Sequence, residues 1–181
     1  MSKKAFFLSV LFGAVMTLFL CGWARAGQNE TFFELGVGGG LGINGIGSMQ
    51  VLVAPAISIP MNSEIFRLRM EGDLEMIFTD GETMAVGGIS PMLRASLPGK
   101  KVRPFVEIGP GVNYATKKEF GGRRLGGPFF FSAMGGLGIE MPFDQKTISI
   151  SYRARHLSNG NTKSGGNQGC NSQYLMLSVS F

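Results

Sequence analysis

Ile65-Phe66-Arg67-Leu68-Arg69-Met70-Glu71-Gly72-Asp73-Leu74-Glu75-Met76-Ile77-Phe78 decides the fold. Apolar and charged residues alternate along it with period two, which is the signature of a strand and of no helix. Phe66, Leu68, Met70, Leu74, Met76 and Phe78 share one face. Arg67, Arg69, Glu71, Asp73 and Glu75 share the other. A soluble protein turns such a charged face to water. A small membrane barrel turns the apolar face to lipid and the charged face inward.

The rest of the chain favours the membrane. Lys3 and Lys4 precede an apolar run from Ala5 to Cys21, and Ala24-Arg25-Ala26 then offers small residues to a signal peptidase. This predicts a secretory signal over residues 1–26, cleaved after Ala26. The run is short for a transmembrane anchor, and Leu20 before Cys21 argues against a lipoprotein. The expected mature chain, Gly27 to Phe181, is one domain. Without Lys3, Lys4 and Arg25 the 17 basic residues fall to 14, against 12 acidic, a formal charge of +2. The basic character belongs mostly to the signal and gives no reason to expect nucleic acid. No later run is long enough for a spanning helix. A membrane chain without helices must close into a barrel, because each backbone group needs a partner in lipid.

The same parity test yields eight strands. Near Thr31–Ile43 it puts Phe33, Leu35, Val37, Leu41 and Ile43 outward, with Glu34 and Gly36, Gly38, Gly40 and Gly42 inward. Near Ser48–Ile59 the outward residues are Met49, Val51, Val53, Ile57 and Ile59. Ile65–Phe78 follows, then Thr83–Leu97 with Ile89, Leu93 and Ala95 out and Arg94 in. Arg103–Tyr114 puts Val106, Ile108, Val112 and Tyr114 out and Glu107 in. Phe129–Met141 puts Phe131, Leu137, Ile139 and Met141 out and Glu140 in. Thr147–Ser158 puts Ile148, Ile150, Tyr152 and Ala154 out and Arg153 and Arg155 in. Asn171–Phe181 puts Leu175, Leu177, Val179 and Phe181 out. The expected architecture is an all-β, eight-stranded antiparallel transmembrane barrel of the bacterial outer membrane. Its lumen holds five arginines against six carboxylates, and side chains fill a barrel of this size, so no porin is expected. The connections Pro60–Glu64, Pro98–Lys101 and Pro142–Gln145 are short and should be periplasmic. Ala115–Gly127 and Asn159–Cys170 are long and should be external. The terminal Phe181 resembles the signal read by barrel-insertion machinery, an expected partner during assembly.

Several chemistries find no support. Cys170 is alone once Cys21 leaves with the signal, so no internal disulfide is expected. His156 is the single histidine, and no Cys/His cluster suggests a metal. Gly40-x-Gly42-x-x-Gly45 matches a dinucleotide fingerprint as text, but no helix pattern follows to receive a pyrophosphate. Lys117, Lys118, Arg123 and Arg124 fall in an external loop. They suit either a solvated surface or contact with lipopolysaccharide phosphates.

His156-Leu157-Ser158-Asn159 is the segment with chemical content. His156 and Ser158 lie two apart on a strand, with Cβ atoms roughly 7 Å apart on one face. That face also carries Ile148, Ile150, Tyr152 and Ala154, so the pair points toward lipid, near the outer rim. On spacing alone the pair suits a catalytic base and nucleophile, or two polar residues of a structural barrel at the membrane surface.

His156-x-Ser158-Asn159, at the end of the penultimate strand, and Gly169-Cys170-Asn171-Ser172 before the last resemble the lipid A 3-O-deacylase (PagL) family, also called acyloxyacyl hydrolases. The resemblance implies an eight-stranded outer-membrane esterase with a lipid-facing Ser–His–Glu triad and no cofactor. It makes Ser158 the nucleophile and His156 its base, with Asn159 and Asn167 helping to hold the oxyanion. The third member departs from the pattern: Asn171 stands where the family has glutamate. Asn171 shares parity with Leu175 and Leu177, so it too faces outward. The glycine that usually follows the motif is displaced, Asn161 standing near its place beside Gly160. The implied substrate is lipid A in the outer leaflet. The rival expectation is a non-catalytic structural or adhesive barrel. A soluble lipocalin-like barrel is opposed by the apolar outer faces and by Phe181.

Overall fold

A computed structural model describes residues 31–43, 47–61, 65–125, 127–144, 146–159 and 169–181. The expected signal peptide over 1–26, Gly45, Asn161 and Asn167 lie outside the described residues. The chain runs through β1 (Phe32–Gly42), β2 (Met49–Pro60), β3 (Phe66–Thr79), β4 (Glu82–Ser96), β5 (Arg103–Ala115), a small hairpin β6 (Glu119–Phe120) and β7 (Arg123–Arg124), then β8 (Phe129–Phe143), β9 (Lys146–Ser158) and β10 (Cys170–Ser180). The long strands close into one antiparallel barrel in the order β1-β10-β9-β8-β5-β4-β3-β2. Among the described residues this is the eight-stranded barrel that the alternation predicts. Strands of 11 to 15 residues are long enough to cross a bilayer at a tilt.

Parity holds around the wall. Phe33, Val51, Ile89, Val106, Ile108, Leu137 and Leu175 are exposed on the outside, an apolar surface that suits lipid and not water. Three residues of outward parity are covered: Leu35, Val53 and Phe181 form a small cluster with Val179 against it.

Every charge assigned to the lumen is buried there. Glu107 is the hub. One of its oxygens accepts from Arg69 at 3.1 Å and Arg94 at 2.9 Å, the other from Arg153 at 2.8 Å. Arg69 also pairs with Glu34 at 3.0 Å, Arg94 with Glu140 at 3.0 Å, and Arg153 with Glu71 at 2.5 Å. Arg155 pairs with Glu75, which also accepts from the Tyr174 hydroxyl. Arg103, which the alternation left unassigned, joins at Glu140, 3.8 Å away. Such a network is tolerable only because the guanidinium forks find carboxylates on several sides. The β1 glycines leave it room. A Cβ at Gly40 would lie 2.5 Å from a ring carbon of Tyr174. Gly40 and Gly42 both fall within β1, so the fingerprint in the text has no phosphate-binding turn there.

The mouth of the barrel near the Ala115–Gly127 connection is closed differently. Phe120 and Leu125, from that segment, are buried with Ile77, Met84, Val86, Ala115, Phe130 and Leu157. Gly121 and Gly122 turn the hairpin with φ of 57° and 73°, the left-handed geometry that a two-residue hairpin turn requires. An apolar plug therefore sits above the ionic layer.

Candidate active site on the lipid-facing rim

β9 and β10 pair so that Asn171 stands directly across from His156 and Cys170 across from Leu157. Inward residues on β9 are odd-numbered, from Ser151 through Arg153, Arg155 and Leu157, all buried. His156 is therefore outward, and it is exposed; Ser158, of the same parity, is half-buried. The Nδ1 of His156 lies 2.5 Å from Oδ1 of Asn171. An amide oxygen only accepts, so Nδ1 donates to it, and in the neutral ring Nε2 carries the lone pair. The imidazole is thus held in the tautomer a general base needs.

Ser158 lies one pair further toward the rim, opposite Phe131 of β8. Among the described residues no hydrogen bond joins it to His156. Such contacts are often loose without substrate and tighten in the complex.

Asn159 is placed differently from the other expected site residues. Its side chain is buried on the inner side, and Nδ2 donates to the Leu125 carbonyl at 3.1 Å. The amide side chain points away from the face of Ser158, which narrows any oxyanion role to the main chain. Asn167 lies outside the described residues.

The site borders a groove of about 710 Å³ on the outer wall. Small residues make it. Pro110 pairs with Ala133 across β5 and β8, Ala133 with His156, and Gly135 with Ala154. Ile108 and Ile43 form its apolar borders, and His156 and Asn171 also line it. Its floor lies on the lipid side, so an alkyl chain can lie there with its ester end at the imidazole.

Two neighbours of the site had no role in it assigned from the sequence. Gly169 packs on the imidazole edge: a Cβ there would come 3.0 Å from Cε1 and 3.6 Å from Nε2 of His156. Arg123 donates to the Gly169 carbonyl at 3.3 Å. Two other loop cations are partnered at the surface, Lys117 with Glu82 at 3.3 Å and Arg124 with Glu119 at 3.5 Å, and Lys118 is exposed.

The family model described as Lipid A 3-O-deacylase (PagL) matches residues 58–180, which include His156, Ser158 and Asn171. The chain belongs to the PagL family. Among solved structures it is similar to the crystal structure of the outer membrane enzyme PagL, with a TM-score of 0.66 and 21% identity over 80% of this chain and 97% of that one. Neisserial surface protein A is similar too, with a TM-score of 0.62 and 12% identity over 83% and 95%. The N-terminal β-barrel domain of Pseudomonas aeruginosa OprF gives 0.53 and 16% over 86% and 100%. A comparison with curated protein sequences finds no match. Family membership and barrel class together make this PagL-family chain an outer-membrane protein.

Proposed function

We propose that this PagL-family barrel is an esterase that removes the 3-O-linked acyl chain of lipid A within the outer leaflet. The observation that carries the proposal is the Asn171–His156 contact on the lipid side, beside an alkyl-sized groove. A polar pair on an apolar wall is costly unless it has work there.

Ser158 Oγ attacks the ester carbonyl carbon as His156 Nε2 takes its proton. The tetrahedral intermediate collapses, the C–O bond to the sugar breaks, and the imidazolium returns the proton to the leaving alkoxide. An acyl group then rests on Ser158. Water, deprotonated by His156, attacks its carbonyl carbon; the bond to Ser158 Oγ breaks, the imidazolium returns the proton to Oγ, and the fatty acid leaves. Asn171 orients the ring. The oxyanion is held by the main-chain N–H of Asn159, the residue after the nucleophile, and by Asn167. No step needs a metal or cofactor.

The second reading, a structural or adhesive barrel that has kept the fold, is favoured by one observation. Asn171 is neutral and cannot stabilise an imidazolium as a carboxylate does. Mass spectrometry of lipid A from cells expressing the chain separates the two. Loss of one 3-hydroxy fatty acid, abolished by Ser158→Ala, supports the esterase. An unchanged spectrum from assembled protein supports the structural reading.

A further inference from the structure

We propose that the external hairpin β6–β7 is a positioning element for His156, acting through Arg123. The inference rests on the esterase reading for its catalytic meaning, but its geometry stands apart from it.

The hairpin grips both segments that carry the site. On one side Arg123 Nη1 donates to the carbonyl of Gly169. Gly169 takes a φ of 47°, a left-handed conformation natural to glycine. It lies against the edge of the imidazole and precedes Asn171, the ring's Nδ1 partner, by two residues. Fixing its carbonyl fixes the approach of β10 to the histidine. On the other side, the Leu125 carbonyl accepts from Asn159 Nδ2 at 3.1 Å, one residue past Ser158. The Leu125 N–H in turn donates to the Lys118 carbonyl at 2.8 Å, tying this anchor to the hairpin.

Packing reinforces both grips. Phe120 and Leu125 are buried against Leu157, which stands between His156 and Ser158 and points inward. Cys170, between Gly169 and Asn171, packs on the same cluster. The two reactive side chains face lipid, where Asn171 holds the imidazole. Their backbone is held from the inside by the plug. Arg123 is the polar link on the Gly169 side of that arrangement, and a planar guanidinium suits an anchor to a fixed carbonyl.

The test uses the mature barrel, refolded in lipid nanodiscs. His156 is the only histidine in the chain, so its ring nitrogens give unique NMR signals. Wild type should show a single neutral tautomer protonated at Nδ1. Arg123→Ala should give tautomer-averaged ring signals, and Arg123→Lys should largely restore the wild-type pattern. Where lipid A deacylation is measurable, Arg123→Ala should lower kcat about tenfold or more with little change in KM, since small misplacements are costly to catalysis. If Arg123→Ala fails to assemble, Arg123→Met keeps the stem and removes the donors.

Wild-type imidazole signals in the assembled donor-less variant would overturn the proposal. So would a rise in KM with kcat unchanged, which would make Arg123 a substrate-binding residue instead. An inactive wild type whose ring signals still respond to Arg123 would remove the esterase reading and leave the positioning role standing.

Discussion

Asn171 faces His156 across the last strand pair, its amide oxygen 2.5 Å from Nδ1. The amide does half of what a carboxylate would do there. It sets the tautomer and the ring plane, and it offers no charge to the imidazolium that the proposed Ser158 attack would form.

The first prediction follows from that half-function. Asn171→Ala should lower the deacylation rate of assembled protein, and Asn171→Glu should raise it above wild type. The gain should be large at a lipid-facing site, where charge is weakly screened. An unpaired carboxylate is also costly to desolvate there, so rates must be compared only on heat-modifiable, folded protein. Wild-type activity in Asn171→Ala would remove Asn171 from the site. An inactive wild type revived by Asn171→Glu would make the natural chain a decayed enzyme.

The nucleophile and base should behave as one unit. Ser158→Ala and His156→Ala should each abolish loss of the 3-hydroxy fatty acid, with the barrel still assembled. The double variant should lose little more than either single one. Additive losses would mean that the two residues act separately.

Orientation fixes where the substrate must be. Lys118 is exposed at the hairpin, so Lys118→Cys should react with a membrane-impermeant maleimide on intact cells. Reaction only after the outer membrane is opened would invert the barrel and put His156 in the wrong leaflet.

The wall of this barrel was legible because period two is forced on it. Lipid on one side and an ionic lumen on the other leave each strand residue little choice. The exceptions have local causes, as where Leu35 and Val53 are covered together with Phe181. The site was legible in part. Parity puts His156, Ser158 and Asn171 on one face. The same parity groups Asn159 with Arg153, Arg155 and Leu157, so its inward side chain could have been read from numbering alone. The β6–β7 hairpin could not. Two-residue strands have no period, and Phe120 and Leu125 sit among lysines, arginines and glycines that suit a solvated loop. Arg123 acquires its partner only when the loop folds back onto Gly169, 46 residues further along the chain, and no periodicity relates the two.

The ionic lumen should dominate stability. Glu107 holds Arg69, Arg94 and Arg153 together. Glu107→Ala leaves three buried guanidiniums short of a partner, and removing one member of a buried pair costs about 3–5 kcal/mol. The urea midpoint of the lipid-embedded barrel should fall accordingly. A midpoint within error of wild type would mean that water reaches the lumen and replaces the carboxylate.

The groove gives the most specific prediction. Gly135 lies outward on its floor, paired with Ala154 and one step from His156 along the wall. A Cβ there would meet little, the nearest atom being a Glu107 main-chain oxygen at 3.9 Å. Gly135→Leu should therefore fold while filling the space that the proposed acyl chain would occupy. If the new side chain displaces two or three methylenes, at about 0.8 kcal/mol each, kcat/KM for long acyl chains should fall about 15- to 60-fold, since 1.4 kcal/mol is tenfold. Short acyl chains should be affected less, so chain-length preference should shift downward. Gly87→Leu is the control: Gly87 is an outward glycine of β4, outside the groove, with its nearest non-neighbour atom 4.0 Å from a built Cβ. It should leave both rate and preference unchanged. Equal losses for long and short chains in Gly135→Leu would point to a disturbed His156 rather than a blocked groove. Unchanged rates would mean that the acyl chain lies elsewhere on the barrel.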